Sequence, residues 1–182
     1  GCSSLTQITI PSFVTSIGDY AFSGCSKMTK VLISSSAVSI GDYSFEGCSS
    51  LTQISIPSSV TSIEGYAFSG CSSLTQILFD NPSSILSIKN FVFKGCSSLT
   101  QITIPTSLTS LGTHAFNGCS SLTEISIPSS VTSIGDYIFE GCNKLDKINI
   151  IPCDKKIIEY FEDKFLIMKS ESSNTNYDNL IW

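Results

Sequence analysis

The stretch Cys48-Ser-Ser-Leu51-Thr-Gln-Ile54-Ser-Ile56-Pro57-Ser-Ser-Val60-Thr-Ser-Ile63-Glu-Gly-Tyr-Ala67-Phe68-Ser-Gly70 decides the fold, because it is one unit whose columns the chain keeps repeating. Equivalent cysteines stand at Cys2, Cys25, Cys48, Cys71, Cys96, Cys119 and Cys142, so the spacings are 23, 23, 23, 25, 23 and 23 residues. A near-constant period of this length marks a solenoid, in which each unit buries its apolar side only against its neighbours. The expected core is a long thin rod with no single centre.

Within the unit, Ile54 and Ile56 alternate as a strand does, Leu51 precedes them, and Pro57 removes a backbone donor where pairing should stop. The same columns recur as Leu5/Ile8/Ile10, Met28/Val31/Ile33, Leu74/Ile77/Phe79, Leu99/Ile102/Ile104, Leu122/Ile125/Ile127 and Leu145/Ile148/Ile150. Side by side, these strands predict one parallel sheet with a single buried face.

After the proline comes a second apolar pair, Val60 and Ile63, and then a segment ending in Phe68. Asp19, Asp42, Gly65, Asn90, Thr113 and Asp136 lie two residues before the Ala67 column, and all belong to types favoured as helix N-caps. The spacing therefore predicts a short helical or 3₁₀ turn on the outer side of each coil. Ile17, Ala21, Phe22 and Cys25 would share its inward face. Phe22, Phe45, Phe68, Phe93, Phe116 and Phe139 would stack as an aromatic spine, and the Gly24 column would end each turn in a left-handed conformation.

The fold class expected is thus an α/β solenoid of about seven 23-residue coils, with a parallel sheet on one face and helical or 3₁₀ turns on the other. The even count of eight cysteines would also fit a disulfide framework. Stacked equivalents, however, sit about 4.8 Å apart with parallel side-chain vectors, whereas a disulfide needs Cβ atoms about 3.8 Å apart and turned together. Buried free thiols are the expected state. Ligand pairs of the Cys-x-x-Cys kind are absent, so no metal or other cofactor is expected.

A net charge of −5 and the absence of arginine argue against a phosphate-reading surface, so nucleic acid is not an expected partner. No apolar run reaches the roughly eighteen residues of a membrane-spanning helix. His114, the single histidine, fills a column otherwise held by Tyr20, Tyr43, Tyr66, Phe91 and Tyr137, which suits an aromatic substitute better than a catalyst. The cysteines occupy a core column, far from a Cys-His nucleophile arrangement. An enzyme is not expected.

The columns spell C-x-x-L-x-x-I-x-I-P-x-x-V-x-x-I-x-x-x-A-F-x-G over residues 1–153, which resembles the BspA-like class of leucine-rich repeat. The resemblance implies a curved or flattened solenoid with the strand columns on its concave side. It also implies a cell-surface or secreted protein that binds a host, matrix or scaffold protein, with a cytoplasmic location as the alternative. Two departures stand out: an insertion of two residues at Asp80 and Asn81, and Ser34 with Ala37 where other coils carry proline and valine or leucine.

The chain begins within a repeat and without methionine, so residues 1–153 read as an array cut at its N-terminus. Twelve charged residues lie in positions 1–142 and another twelve in 143–171, which marks the end of the regular array. Residues 154–169 read as a capping helix and strand, and 170–182 as a polar tail.

The candidate partner-binding residues are the outward ones of the main strands: Gln7, Thr9, Lys30, Gln53, Ser55, Gln76, Gln101, Thr103, Glu124 and Ser126. They could equally be plain solvated positions. Three functions follow: a protein-binding or adhesion module using this face, a structural spacer, or an ice- or carbohydrate-binding surface on the Thr6, Thr29, Thr52, Thr75, Thr100 and Thr123 column. Leu32 and Leu78 interrupt the uniformity that the last would need.

Overall fold

The computed structural model describes residues 2–150 together with Glu159. The expected capping segment 154–169 and the tail 170–182 lie outside the described residues, Glu159 apart.

Seven main strands come once per coil: β1 (Gln7–Thr9), β3 (Lys30–Leu32), β5 (Gln53–Ile56), β7 (Gln76–Phe79), β9 (Gln101–Thr103), β11 (Glu124–Ile127) and β13 (Lys147–Ile150). They follow the alternation read from the sequence: in β5, Gln53 and Ser55 are exposed while Ile54 and Ile56 are buried. The pairing is parallel and in repeat register, with Ile54 beside Ile77 and Ile125 beside Ile148. The single sheet expected is instead three ladders, β1–β3, β5–β7 and β9–β11–β13. One break, between β7 and β9, falls where the insertion lengthens the coil. The other, between β3 and β5, falls at the coil that carries Met28, Val31, Ser34 and Ala37 in otherwise regular columns.

A second parallel sheet, unforeseen from the sequence, is built from two-residue strands: β2 (Ser16–Ile17), β4 (Ser39–Ile40), β6 (Ser62–Ile63), β8 (Ser87–Ile88), β10 (Ser110–Leu111) and β12 (Ser133–Ile134). It runs unbroken through all six strands. Its register places the insertion: Ile56 pairs with Phe79, 23 residues on, while Ser62 pairs with Ser87, 25 residues on, so the two extra residues lie between them.

The outer side holds no helix between residues 2 and 150; consecutive turns stand in its place. The helical expectation fails because the backbone donors divide between two directions. Cys71 donates back within its own turn to Phe68, but the Phe68 and Gly70 amides donate onward to Val92 and Lys94 of the next coil, at 3.0 and 2.7 Å. A helix would need those amides for itself. The supposed caps serve the same ladder: the carboxylate of Asp19 accepts from the amide of Asp42 at 2.9 Å, and the side-chain oxygen of Asn90 accepts from Thr113 at 2.9 Å.

Two left-handed columns shape each outer turn. Gly70 has φ 73°, as expected of a turn-ending glycine. Tyr66 and its equivalents also have positive φ, between 54 and 61°, which costs an ordinary residue about 1–2 kcal/mol. Their rings repay part of that by stacking along the array, with Tyr43 and Tyr66 at 4.6 Å and 6° from parallel. His114 takes its place in this column between Phe91 and Tyr137, at 4.8 and 5.2 Å.

The core is the rod expected. Phe45, Phe68, Phe93 and Phe116 are fully buried, and the spine from Phe22 to Phe139 stacks at 5.2–5.8 Å. Cys25, Cys48, Cys71, Cys96, Cys119 and Cys142 are buried free thiols, while Cys2 is exposed. Each thiol from Cys48 to Cys142 donates to a phenylalanine carbonyl of the coil before, as Cys71 does to Phe45 at 3.2 Å. Burial pushes the thiols of Cys48 and Cys142 up to about 12, and those of Cys71, Cys96 and Cys119 well above their ordinary value.

Candidate functional site

Strand alternation turns Gln7, Thr9, Lys30, Gln53, Ser55, Gln76, Gln101, Thr103, Glu124 and Ser126 to the same side of the coils, and each is exposed or half-buried. The ladder breaks group them. Gln7 and Thr9 register with Lys30 and Leu32; Gln53 and Ser55 with Gln76 and Leu78; Gln101 and Thr103 with Glu124 and Ser126. The face is a row of amides and hydroxyls in which Leu32, 49% exposed, and Leu78, 37% exposed, are the apolar positions.

At its C-terminal end the face is already tied down. Glu124 accepts from Lys147 Nζ at 3.1 Å and from Asn149 Nδ2 at 2.7 Å, and these hydrogen bonds hold its carboxyl below the ordinary value. Asn149 also donates to Ser126 at 3.2 Å. Glu124 and Ser126 are thus partly spoken for, whereas no side-chain hydrogen bond engages Gln53, Gln76 or Gln101 within the described residues.

Between β7 and β9, where the ladder is broken, a cleft of about 390 Å³ opens on this face. Gln76, Leu78, Phe79, Asp80 and Asn81 line one side, and Gln101, Thr103, Ile104, Pro105 and Thr106 the other. Leu78, Phe79 and Asp80 are the residues that sequence reasoning missed as a site. The available signal was the single spacing of 25 among spacings of 23.

Alternate members of the threonine column, Thr29, Thr75 and Thr123, are turned to structural use. Thr29 and Thr75 donate their hydroxyls to the carbonyls of Thr6 and Thr52 one coil back, at 3.1 and 3.0 Å. Such hydroxyls cannot also offer their hydrogens to a ligand. His114 Nδ1 lies 3.3 Å from Glu140, but its ring is held in the aromatic stack and no nucleophile adjoins it. Among the described residues no group of three or more His, Cys, Asp and Glu is placed to hold a metal ion.

Parallel coils, one apolar ladder per column and an amide-rich strand face define a leucine-rich repeat solenoid. The chain belongs to the family described as BspA type leucine rich repeat region, which matches residues 1–85 and 78–176 in 6 copies. It is similar to the leucine-rich repeat protein of T. pallidum, with 27% identity, a TM-score of 0.53, and 79% of this chain and 57% of that one covered. A leucine-rich repeat protein from Eubacterium ventriosum is 29% identical, with a TM-score of 0.61 over 76% of this chain and 43% of that one. The pneumococcal vaccine antigen PcpA, 20% identical with a TM-score of 0.50 over 79% of this chain and 50% of that one, shares the fold. The chain spans about half the length of these structures. Comparison with curated proteins gives no match.

Proposed function

We propose that this chain is a protein-binding module, part of a larger adhesive or scaffolding protein, and that it docks its partner on the outward residues of the main strands. The observation that carries the reading is the composition of that face: free amides at Gln53, Gln76 and Gln101 around exposed Leu32 and Leu78. Apolar anchors set among hydrogen-bonding groups are what protein interfaces use, and solenoids commonly present them on an extended strand surface. The reading assigns no catalysis to the array, and family resemblance supports a cell-surface or secreted location.

The test is a pull-down with the purified array, followed by affinity measurement on the retained protein with Gln53, Gln76 and Gln101 changed together to lysine. Three new charges at the centre of the face should weaken binding at least tenfold. Undiminished affinity would move the site elsewhere, and a spacer would retain no partner whose binding depends on these residues.

A further inference from the structure

The inserted residues leave behind more than a longer coil. In the regular coils the turn after each strand closes on itself, as when Val60 donates to the carbonyl of Pro57 at 3.1 Å. In the lengthened coil Ile85 donates instead to the hydroxyl of Ser83 at 3.3 Å, and Asp80 and Asn81 stand out beside the strand end. The cleft that results has an aliphatic and aromatic floor from Leu78, Phe79, Ile104 and Pro105, with amides and hydroxyls from Gln76, Gln101 and Thr103 above it.

Asp80 gives this cleft a charge. Its backbone amide is fixed to the carbonyl of Ile56 at 3.0 Å, and its Oδ2 accepts from the amide of Ser58 at 3.3 Å, so the preceding coil holds this exposed residue in place where it lines the cleft. The ion pairs among the described residues are His114 with Glu140 and Lys147 with Glu124, and neither supplies a cation to Asp80. Glu124, the acid on the strand face itself, is neutralised from within, and Asp80 is not.

Resting on the strand-face reading above, we propose that this cleft is the specificity pocket of the face, and that it takes an extended segment of a partner protein bearing a lysine or arginine beside an apolar side chain. The apolar side chain covers Leu78 and Phe79 against Ile104 and Pro105. The cation reaches the free oxygen of Asp80, and Gln76 and Gln101 hydrogen-bond the backbone between them. A volume of about 390 Å³ lies within the range of roughly 300–1,000 Å³ that ligand pockets occupy, and the mixture of apolar floor and few convergent polar groups is of the usual kind. Charge complementarity chooses the cation, and the run of the cleft along the strands chooses an extended chain.

The whole chain is screened against an array of short synthetic peptides and, in parallel, a glycan array. The proposal expects bound peptides to share a lysine or arginine near an apolar residue. Asp80→Asn keeps an acceptor for Ser58 but removes the charge, and should weaken those peptides about tenfold, the effect of losing a charge-assisted hydrogen bond. Deleting Asp80 and Asn81 together restores the 23-residue spacing and should abolish the selection, with circular dichroism confirming the fold. Binding of glycans only, of no peptide, or of peptides lacking a cation overturns the proposal. Peptides indifferent to both Asp80 variants but lost with the Gln53, Gln76 and Gln101 lysine variant overturn the pocket and leave the strand face standing. Peptides indifferent to all three variants overturn both.

Discussion

Phe68→Ala probes the spine that holds the coils together. Phe68 is fully buried and stacks on Phe45 at 5.3 Å and on Phe93 at 5.8 Å, so truncation empties a space walled by two rings. Large-to-small changes of this kind cost about 3–5 kcal/mol, and that range already includes the lost ring contacts. With about 2–4 °C of melting temperature per kcal/mol for a chain of this size, the expected fall is about 12 °C. Phe22 offers the control: it is half-buried and stacks on a single neighbour, Phe45, at 5.2 Å, so Phe22→Ala should cost about half as much. Thermal and urea unfolding followed by circular dichroism measure both, and neither change should alter partner binding because both rings lie behind the strand face. Equal losses at the two positions, or an unchanged melting curve for Phe68→Ala, would refute the spine.

Ser44 occupies the Ala67 column, fully buried, with an Oγ that has no hydrogen-bond partner; Ser44→Ala should therefore raise stability by about 1 kcal/mol in urea titration. At Tyr66, φ 57° penalises any residue with a Cβ, so Tyr66→Gly should be more stable than Tyr66→Ala by about 1 kcal/mol although both lose the stack. Alkylation of the folded protein read by peptide mapping should label Cys2 and spare Cys25 to Cys142 until the chain unfolds. The buried thiols also set an alkaline limit. An unfolded cysteine loses its proton near pH 9.0, whereas Cys142 holds its proton to about 12, so the stability it contributes is intact below pH 9.0 and is lost as pH rises toward 12. Melting temperature should accordingly fall less steeply over that window in Cys142→Ala than in the parent protein.

Much of the fold was legible because a repeat states each column several times over. The strand, the phenylalanine spine, the thiol column and the left-handed glycine all appear where residue type and spacing place them. The outer turn was misread for a physical reason. Asp19 and Asn90 are residues that cap helices, but a side-chain oxygen that can accept from its own next turn can also accept from the next coil, and here it does. The positive φ of the Tyr66 column was illegible, since an aromatic residue carries no signal for that conformation and the ring stack that offsets it exists only after folding. The second sheet escaped because strands of two residues, such as Ser62–Ile63, are too short for alternation to show.

The candidate face was legible as a set of columns, and the structure keeps all ten residues on one side. Its internal division was not, because ladder breaks depend on how neighbouring coils fit. The 25-residue spacing announced that something differs near Asp80, but the cleft beside Leu78 follows from the stacking of the next coil against it.

Docking of a protein partner on the strand face, with its regular Gln53, Gln76 and Gln101 column, is the proposal on which the other functional readings depend. Hydrogen exchange of the array with and without its captured partner tests that most directly. Docking on this face should slow exchange in β5, β7 and β9 and leave it unchanged in the outer turns that contain Tyr43, Tyr66 and Phe91. Protection of those outer turns with none in β5, β7 and β9 would contradict it.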